Sequence, residues 1–171
     1  MKNLVETLSL LAWLPDHLEG CLRSIPENYQ NWEPRSWEGV PGESFTATEH
    51  VCHLRDIEID GYQVRIRRML EEENPLLLSI DGGSLVKARG YSETNPFEAL
   101  ATFRGARKNT LELISHLSDI ALTRKGSFEG YGDITLRALI HFLSSHDQQH
   151  LACMQWLSGK IASDLDARPG E

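Results

Sequence analysis

The chain has 171 residues, of which 40% are apolar and 25% are charged, and its formal net charge is -8. These values are typical of one globular domain, here residues 1–171, and they exclude a disordered or low-complexity chain. The acidic charge disfavours nucleic acid and anionic membranes as partners, because both attract clusters of Lys and Arg. No apolar run approaches the ~20 residues that a membrane-spanning helix needs.

Two further features of the sequence bear on where the protein is found. The N-terminal segment does not resemble a secretion signal, because Glu6 and Asp16 interrupt its apolar residues and no small-residue cleavage site follows. The three cysteines, Cys21, Cys52 and Cys153, are odd in number and far apart, which indicates reduced thiols and not a disulfide framework. We therefore expect a soluble, cytoplasmic protein.

The first predicted helix carries leucine or another apolar residue at every third or fourth position. Pro15 lies inside this pattern and predicts a kink or a local break, because proline has no backbone N–H to donate. Residues 26–44 contain several prolines and glycines and predict a loop. Trp32 and Trp37 lie in this loop, and we expect them to fold back onto the helices.

The second predicted helix begins at Thr46, because a hydroxyl residue followed three positions later by Glu49 matches a capping box. It ends near Glu73, just before an Asn-Pro pair. Residues 74–95 then form a second long connection, which contains three glycines.

The third predicted helix begins at Asn95, with Asn as the N-cap and a proline in the first helical position. A glycine-rich stretch separates it from the fourth helix. This last helix is predicted to begin at Asp133 or Thr135 and to end near Lys160, and residues 162–171 are expected to be frayed.

These four amphipathic helices, with no convincing strand pattern between them, predict an all-α four-helix bundle. The longest connections join helices one and two and helices two and three. Connections of this length permit a topology other than up-down-up-down.

Four histidines lie at spacings that suit a metal site. His146 and His150 are one helical turn apart, and the leucines around them place both on the interior stripe of the fourth helix. His50 and His53 lie in the second helix, and their spacing leaves open which of them faces the interior. Three imidazoles around a divalent ion leave a coordination position open, as in catalytic sites. Hydrogen bonds to buried carbonyls or carboxylates are the alternative.

Two motifs carry a family resemblance. The first places an aromatic and a hydroxyl residue before a histidine-containing stretch: Phe45-Thr46, then His53-Leu54-Arg55-Asp56-Ile57-Glu58. The second places a glycine and a Thr-Leu run before a two-histidine stretch: Gly132-Asp133-Ile134-Thr135-Leu136-Arg137-Ala138-Leu139, then His146-Asp147-Gln148-Gln149-His150-Leu151. In these residues, and in their order along nearly the whole chain, the sequence resembles the DinB-like (DNA-damage-inducible) superfamily of four-helix metal proteins. This superfamily includes bacillithiol and mycothiol S-transferases.

The resemblance implies that the metal ligands are His53, His146 and His150. His50 falls where the family usually has an aliphatic residue, so its expected role is packing or support of a ligand. The resemblance also implies an up-down-down-up bundle, a divalent nickel, zinc or iron ion, and a homodimer. Four tryptophans strengthen the expectation of a dimer, because one small core does not bury them all: Trp13, Trp32, Trp37 and Trp156.

The function implied by the resemblance is metal-dependent transfer of a small thiol (bacillithiol, mycothiol or a glutathione-like thiol) to a small electrophile in stress or detoxification. Three neutral imidazoles leave the ion its full charge, so a bound thiol or water becomes more acidic. A metal-dependent hydrolase, with water in place of the thiol, is one alternative. A non-catalytic binding or structural protein that the metal stabilises is the other.

Several charged residues are candidates for supporting roles. Four cations could hold an anionic thiol or carboxylate near the cavity, with simple solvation as the alternative: Arg104, Arg107, Lys108 and Arg124. Asp147 is a candidate for orienting a ligand imidazole, and a surface position is the alternative. Glu49, Asp56 and Glu58 carry the same two alternatives.

Overall fold

Four long helical segments form the bundle that the sequence predicts. The computed structural model describes residues 2–167, with side chains from Leu4 onward. Its helices are α1 (Lys2–Ser24), α2 (Ala47–Asp56), α3 (Gln63–Glu71), α4 (Gly82–Ala88), α5 (Pro96–Ile114), α6 (Asp119–Leu122) and α7 (Leu136–Asp166). Its strands are β1 (Leu76–Leu77), β2 (Lys125–Phe128) and β3 (Gly132–Thr135). A π-helical turn (Ile57–Tyr62) joins α2 to α3, so residues 47–71 form one continuous helix, the second bundle helix. The other three helices of the bundle are α1, α5 and α7.

Side-chain caps begin three of the four bundle helices. The Thr46 hydroxyl accepts from the Glu49 backbone N–H while the Glu49 carboxylate accepts from the Thr46 N–H, so the predicted capping box is present. Asn95 caps α5 as predicted. The fourth bundle helix begins directly after Thr135, whose hydroxyl accepts from the Ala138 N–H. Such caps satisfy N–H groups that have no partner within the helix.

A kink or a local break is predicted at Pro15, and the local break is wrong, because α1 continues through Pro15 as one helix. Proline has no N–H, so the carbonyl of Leu11, four residues earlier, has no donor within the helix. The Arg107 guanidinium supplies one: its Nη1 donates to the Leu11 carbonyl oxygen at 3.0 Å. A side chain from a neighbouring helix therefore replaces the missing helical hydrogen bond.

The predicted end of the fourth helix near Lys160 is too early. Residues 162–166, which we expected to be frayed, are helical, and residues 168–171 lie outside the described part of the chain. The Tyr29 hydroxyl donates to the Asp164 carboxylate at 2.8 Å and ties this last turn to the loop after α1.

A small sheet, absent from the prediction, joins two connections between the helices. β1 pairs in parallel with β2, and β2 pairs antiparallel with β3. Strands of two to four residues are too short to show a periodic pattern in the sequence. Gly130 and Gly132, at φ +82° and +78°, form the turn between β2 and β3, where other residues would be strained. The sheet carries Phe128 and Tyr131 to the bundle.

The tryptophans of the first long loop fold back onto the helices as predicted. Trp37 stacks on Trp156 of α7 with ring centroids 5.8 Å apart, and Trp32 packs beside Tyr29. Trp13 differs from these, since 46% of it is exposed on α1.

Cross-helix contacts give the direction of each bundle helix. Arg104 of α5 pairs with Glu19 of α1, and Arg107, one turn later, contacts Leu11, about two turns earlier in α1. These two helices are therefore antiparallel. The same holds for α2 and α7, since residue 50 contacts residue 150 while residue 53 contacts residue 146.

The remaining neighbours run parallel. In α1 and α7, Thr7 contacts His141, and farther along both helices Arg107 bridges residues 11 and 147. In the second bundle helix and α5, Arg107 contacts residue 58 and Gln63 contacts Thr110. The bundle is therefore up-down-down-up, as the resemblance implies, and its long connections allow consecutive helices to lie apart.

Two buried apolar clusters fill the bundle, and a layer of polar side chains lies between them. Along α7, Leu143 belongs to one cluster and Leu151 to the other, and the histidines predicted as ligands lie in between. In α1, Leu11 belongs to the same cluster as Leu143, and Leu14 belongs to the same cluster as Leu151. No helix within residues 2–167 is both long enough and apolar enough to cross a membrane.

Candidate metal centre

Three imidazoles meet in this polar layer. The Nε2 atom of His146 lies 3.2 Å from the Nε2 of His53 and 3.2 Å from the Nε2 of His150. His53 and His150 are buried, and His146 is half-buried. The structure thus brings together the three histidines that the resemblance indicates as ligands, and among the described residues they form a set of mutually close ligand atoms.

The spacing of these nitrogens fits a metal ion. Two nitrogens bound tetrahedrally at about 2.0–2.1 Å from a zinc-sized ion lie ~3.3 Å apart. Hydrogen bonds alone fit less well, because the Nε2 of His146 has one lone pair or one hydrogen with which to serve two neighbours. The Nδ1 atoms of His53 and His146 are buried without a hydrogen-bond partner, so neither ring is anchored through its other nitrogen.

The environment keeps His50, His53 and His150 uncharged. Burial, followed by repulsion from neighbouring imidazoles, lowers the pKa of His53 to about 3 and that of His50 to about 3. The same causes hold the pKa of His150 well below its ordinary value. A neutral imidazole keeps a lone pair for a cation, so His53 and His150 can bind a metal ion without first releasing protons.

His50 contacts one of these three histidines and is not a member of the set. Its Nδ1 lies 2.8 Å from the Nδ1 of His150, on the side of that ring opposite the shared point. With the His150 lone pair on Nε2, we assign the hydrogen to Nδ1, which donates to His50. Such a hydrogen bond fixes the tautomer and orientation of a ligand histidine.

Phe45 and Gly82, which lie outside the four bundle helices, pack against the imidazoles. The Phe45 ring, the aromatic residue of the first motif, lies with its centroid 5.3 Å from that of His53 and 5.5 Å from that of His50. A Cβ on Gly82 would lie 2.6 Å from the Cε1 of His53, so α4 packs this closely only because its first residue is glycine.

A buried ion network lies directly behind the histidines. Arg107 donates two hydrogen bonds of 2.9 Å to the Glu58 carboxylate and one of 2.7 Å to Asp147, besides its bond to Leu11. Burial lowers the pKa of the Arg107 guanidinium, but the two carboxylates outweigh that effect and raise it. The surface alternative for Asp147 and Glu58 is wrong, because both are 1% exposed.

Asp147 lies beside a ligand but does not bond it directly. Its Oδ1 is 3.9 Å from the Nδ1 of His146 and is buried without a hydrogen-bond partner. Asp56, the other buried acid of the first motif, accepts from the Tyr91 hydroxyl at 2.7 Å and pairs with Arg55. Glu49 caps its helix, as described above.

None of the four cations considered as anion-binding groups lines the cavity at the histidines. Arg107 is held in the ion network, and Arg104 pairs with Asp16 and Glu19. Lys108 is exposed, and Arg124 donates to backbone carbonyls at the C-terminal end of α3. That expectation is therefore wrong for all four, because other groups already hold the three arginines and Lys108 points to solvent.

A cavity of about 150 Å³ opens beside His53 and His146, and its wall contains polar residues that sequence reasoning missed. Glu43 is one of them: its Oε2 lies 3.8 Å from the Nε2 of His150 and is buried without a hydrogen-bond partner. Arg65 and Tyr131 are others. The tertiary structure places these residues in the cavity wall, and no spacing in the sequence predicts that position.

The comparisons with known proteins agree with this arrangement. The profile of the DinB superfamily matches residues 10–154. The chain belongs to the DinB superfamily. No curated protein matches it in sequence.

Among solved structures, this DinB protein is similar to YfiT from Bacillus subtilis, described as a probable metal-dependent hydrolase with an unusual four-helix bundle topology. The TM-score is 0.80 at 20% identity, over 92% of this chain and 86% of YfiT. At this identity the likeness shows the shared fold.

We expect one divalent ion per chain after loading with nickel, zinc or iron and desalting. His146→Ala should weaken metal binding at least ~100-fold. Loss of a residue that only hydrogen-bonds to a metal ligand already lowers metal affinity ~10–100-fold. Elemental analysis and competition with a chelating dye measure both quantities. The control His141→Ala, whose ring bonds Thr7 far from the centre, should bind like the wild type. Equal binding by the two variants would contradict the assignment.

Arg107→Met should lower the free energy of unfolding by about 3–5 kcal/mol, because it leaves the two buried carboxylates unpaired. Urea denaturation measures this loss. The matched control is Arg104→Met, in the same helix, whose ion pairs are half-exposed and worth ~1 kcal/mol or less. Similar losses for the two variants would show that the network adds no more than surface pairs do.

Proposed function

We propose that this protein is a metal-dependent hydrolase whose divalent ion is held by His53, His146 and His150. The observation that carries the proposal is the meeting of three imidazole nitrogens beside a small cavity, in whose wall one carboxylate oxygen of Glu43 has no hydrogen-bond partner. The likeness to YfiT, a probable metal-dependent hydrolase, adds support. Nickel, zinc and iron are the candidate ions.

The chemistry follows from the donor set. A divalent ion bound by three neutral imidazoles lowers the pKa of a water molecule that it binds, which makes hydroxide available near neutral pH. The apolar clusters on both sides of the polar layer help to bury His53 and His150, and burial strengthens electrostatic interactions there.

Glu43 is the group on this chain best placed to accept the proton that such a nucleophile loses. Its Oε2 faces His150 at 3.8 Å, shares the cavity with the other two histidines, and is not engaged by any hydrogen bond. Among the described residues it is not a member of the mutually close ligand set, so it acts beside the ligands and not as a fourth one.

The chain offers no thiol nucleophile at the cavity. The cavity wall contains no cysteine among the described residues. Burial raises the pKa of Cys153 to about 11 and also raises the pKa of Cys52, so neither forms a thiolate near neutral pH. The attacking group must therefore come from solution.

That conclusion also favours the second candidate function, thiol transfer, in which a low-molecular-weight thiol takes the place of water. We rank it second because a cavity of about 150 Å³ encloses water and a small acyl group more readily than a peptide-sized thiol. The cytoplasmic location, the role in stress and the homodimer stay predictions.

The test of this function is a panel of small esters and amides offered to the metal-loaded protein with and without added thiol. Turnover should proceed without thiol, stop on chelation, return when metal is restored, and be abolished in His150→Ala. Turnover that requires a thiol and an electrophile would replace the hydrolase with the transferase. A metal-loaded protein inert in both assays would leave the non-catalytic alternative.

Glu43→Gln should lower kcat by about 10²–10⁴-fold, the range for loss of a positioned proton acceptor. Its metal content should stay at the wild-type value, because the three ligands are intact. The matched control is Glu38→Gln in the same loop, where the side chain is exposed and should leave kcat unchanged. Loss of metal from Glu43→Gln would instead make Glu43 a ligand.

A further inference from the structure

Arg65 places a buried cation in the wall of the cavity that His53 and His146 also line. It lies in the first turn of α3, directly after the π-helical turn, and only 6% of it is exposed. Turns of π-helix inside an α-helix are frequent at functional sites, because they change which side chains face inward.

The Arg65 guanidinium has no carboxylate partner among the described residues. Its Nε and Nη2 donate to one backbone carbonyl, that of Leu78, at 3.1 and 2.8 Å. The rings of Tyr62 and Phe128 cover it, with centroids 5.3 and 4.7 Å from its Cζ atom. Glu43, the acid of the same cavity, makes its ion contact with His150 and not with Arg65.

Arg65 thus differs from the other fully enclosed arginine. Arg107 is neutralised by two carboxylates, which raise its pKa, whereas burial lowers the pKa of Arg65. A buried cation without a counter-charge costs free energy, and its presence is explained when a ligand supplies that charge.

The geometry leaves one edge of this guanidinium for a ligand. Nη1 donates no hydrogen bond to any residue that the structure describes. Gly61 makes room on that side, since a Cβ there would lie 2.9 Å from Nη1. With Nε and one hydrogen of Nη2 used by Leu78, the Nη1 and Nη2 ends remain as a fork, the arrangement that binds two oxygens of an oxyanion.

We propose that Arg65 is the substrate-recognition residue of this cavity and binds a carboxylate or phosphate group of the substrate. The substrate class is therefore an ester or amide that carries a small oxyanion, held so that the bond to be cleaved faces the three histidines. This assignment rests on the proposed function for the reaction, but the anion site itself does not.

Anion binding is measured first on the full-length chain after chelation, so that no ion competes for the probe. Acetate and inorganic phosphate are titrated separately, followed by NMR or calorimetry. Each should bind with one site per chain, and Arg65→Met should weaken binding about 10–100-fold, the range for loss of a charge-assisted hydrogen bond. The tighter of the two probes gives the class of oxyanion.

Two further variants separate recognition from a structural role. Arg65→Lys keeps the charge without the fork and should retain part of the binding, even if Arg65→Met fails to fold. Arg68→Met, in the same helix but exposed and paired with Glu72, should bind both probes like the wild type. Equal binding by Arg65→Met and the wild type, or no binding of either probe by the wild type, would overturn the proposal.

A second readout uses the metal-loaded protein and two esters that differ only in a terminal carboxylate. Arg65→Met should raise KM for the anionic ester and leave the neutral one unchanged. Anion binding without any ester turnover would refute the hydrolase and keep the anion site. If Arg65→Met cleaved both esters with the wild-type ratio of their two KM values, the hydrolase would stand and the anion site would be refuted.

Discussion

Arg107 bonds groups on all three of the other bundle helices, and every one of these contacts is buried. Its partners are the Leu11 carbonyl of α1, Glu58 in the π-helical turn and Asp147 of α7. Pro15 leaves the Leu11 carbonyl without a helical donor, so Arg107 supplies the hydrogen bond that α1 itself lacks there. Pro15, which would be expected to disrupt α1, thus frees a carbonyl that helps to fix the position of α1 relative to α5.

This register places the histidines. Asp147 lies between His146 and His150 in the sequence, so fixing its carboxylate also fixes the helical turn that carries both rings. Arg107 with two carboxylates leaves one net negative charge beside the imidazoles, and Glu43 adds another at the cavity. Both charges favour the divalent cation that we propose at the point where the three imidazole nitrogens meet.

The sequence predicted those parts of the molecule that depend on helical periodicity and local caps. The capping box at Thr46, the N-cap at Asn95 and the convergence of His53 with His146 and His150 all follow from spacing or from the family motifs. The motifs also separated His53 from His50, which spacing alone left open. Side chains placed by loops were not predictable, because loop geometry depends on tertiary contacts.

Glu43 and Arg65 show this limit most clearly. Glu43 lies in a Gly- and Pro-containing loop, where no period indicates a direction. Arg65 lies in a helix, but the π-helical turn before it adds a residue to one turn and shifts the faces of α3. The three short strands, one of which contributes Phe128 to the cavity wall, were missed for a related reason, since two to four residues contain no period.

The central claim is a divalent ion held by three imidazoles with a position open to small molecules. X-ray absorption spectroscopy of the metal-loaded protein tests it most directly, because it counts the ligands and identifies imidazole by its scattering. The account predicts three imidazole nitrogens together with one or more oxygens that change when a small anion is added. A shell of oxygens alone, or a shell of four protein ligands that does not respond to added anions, would contradict it.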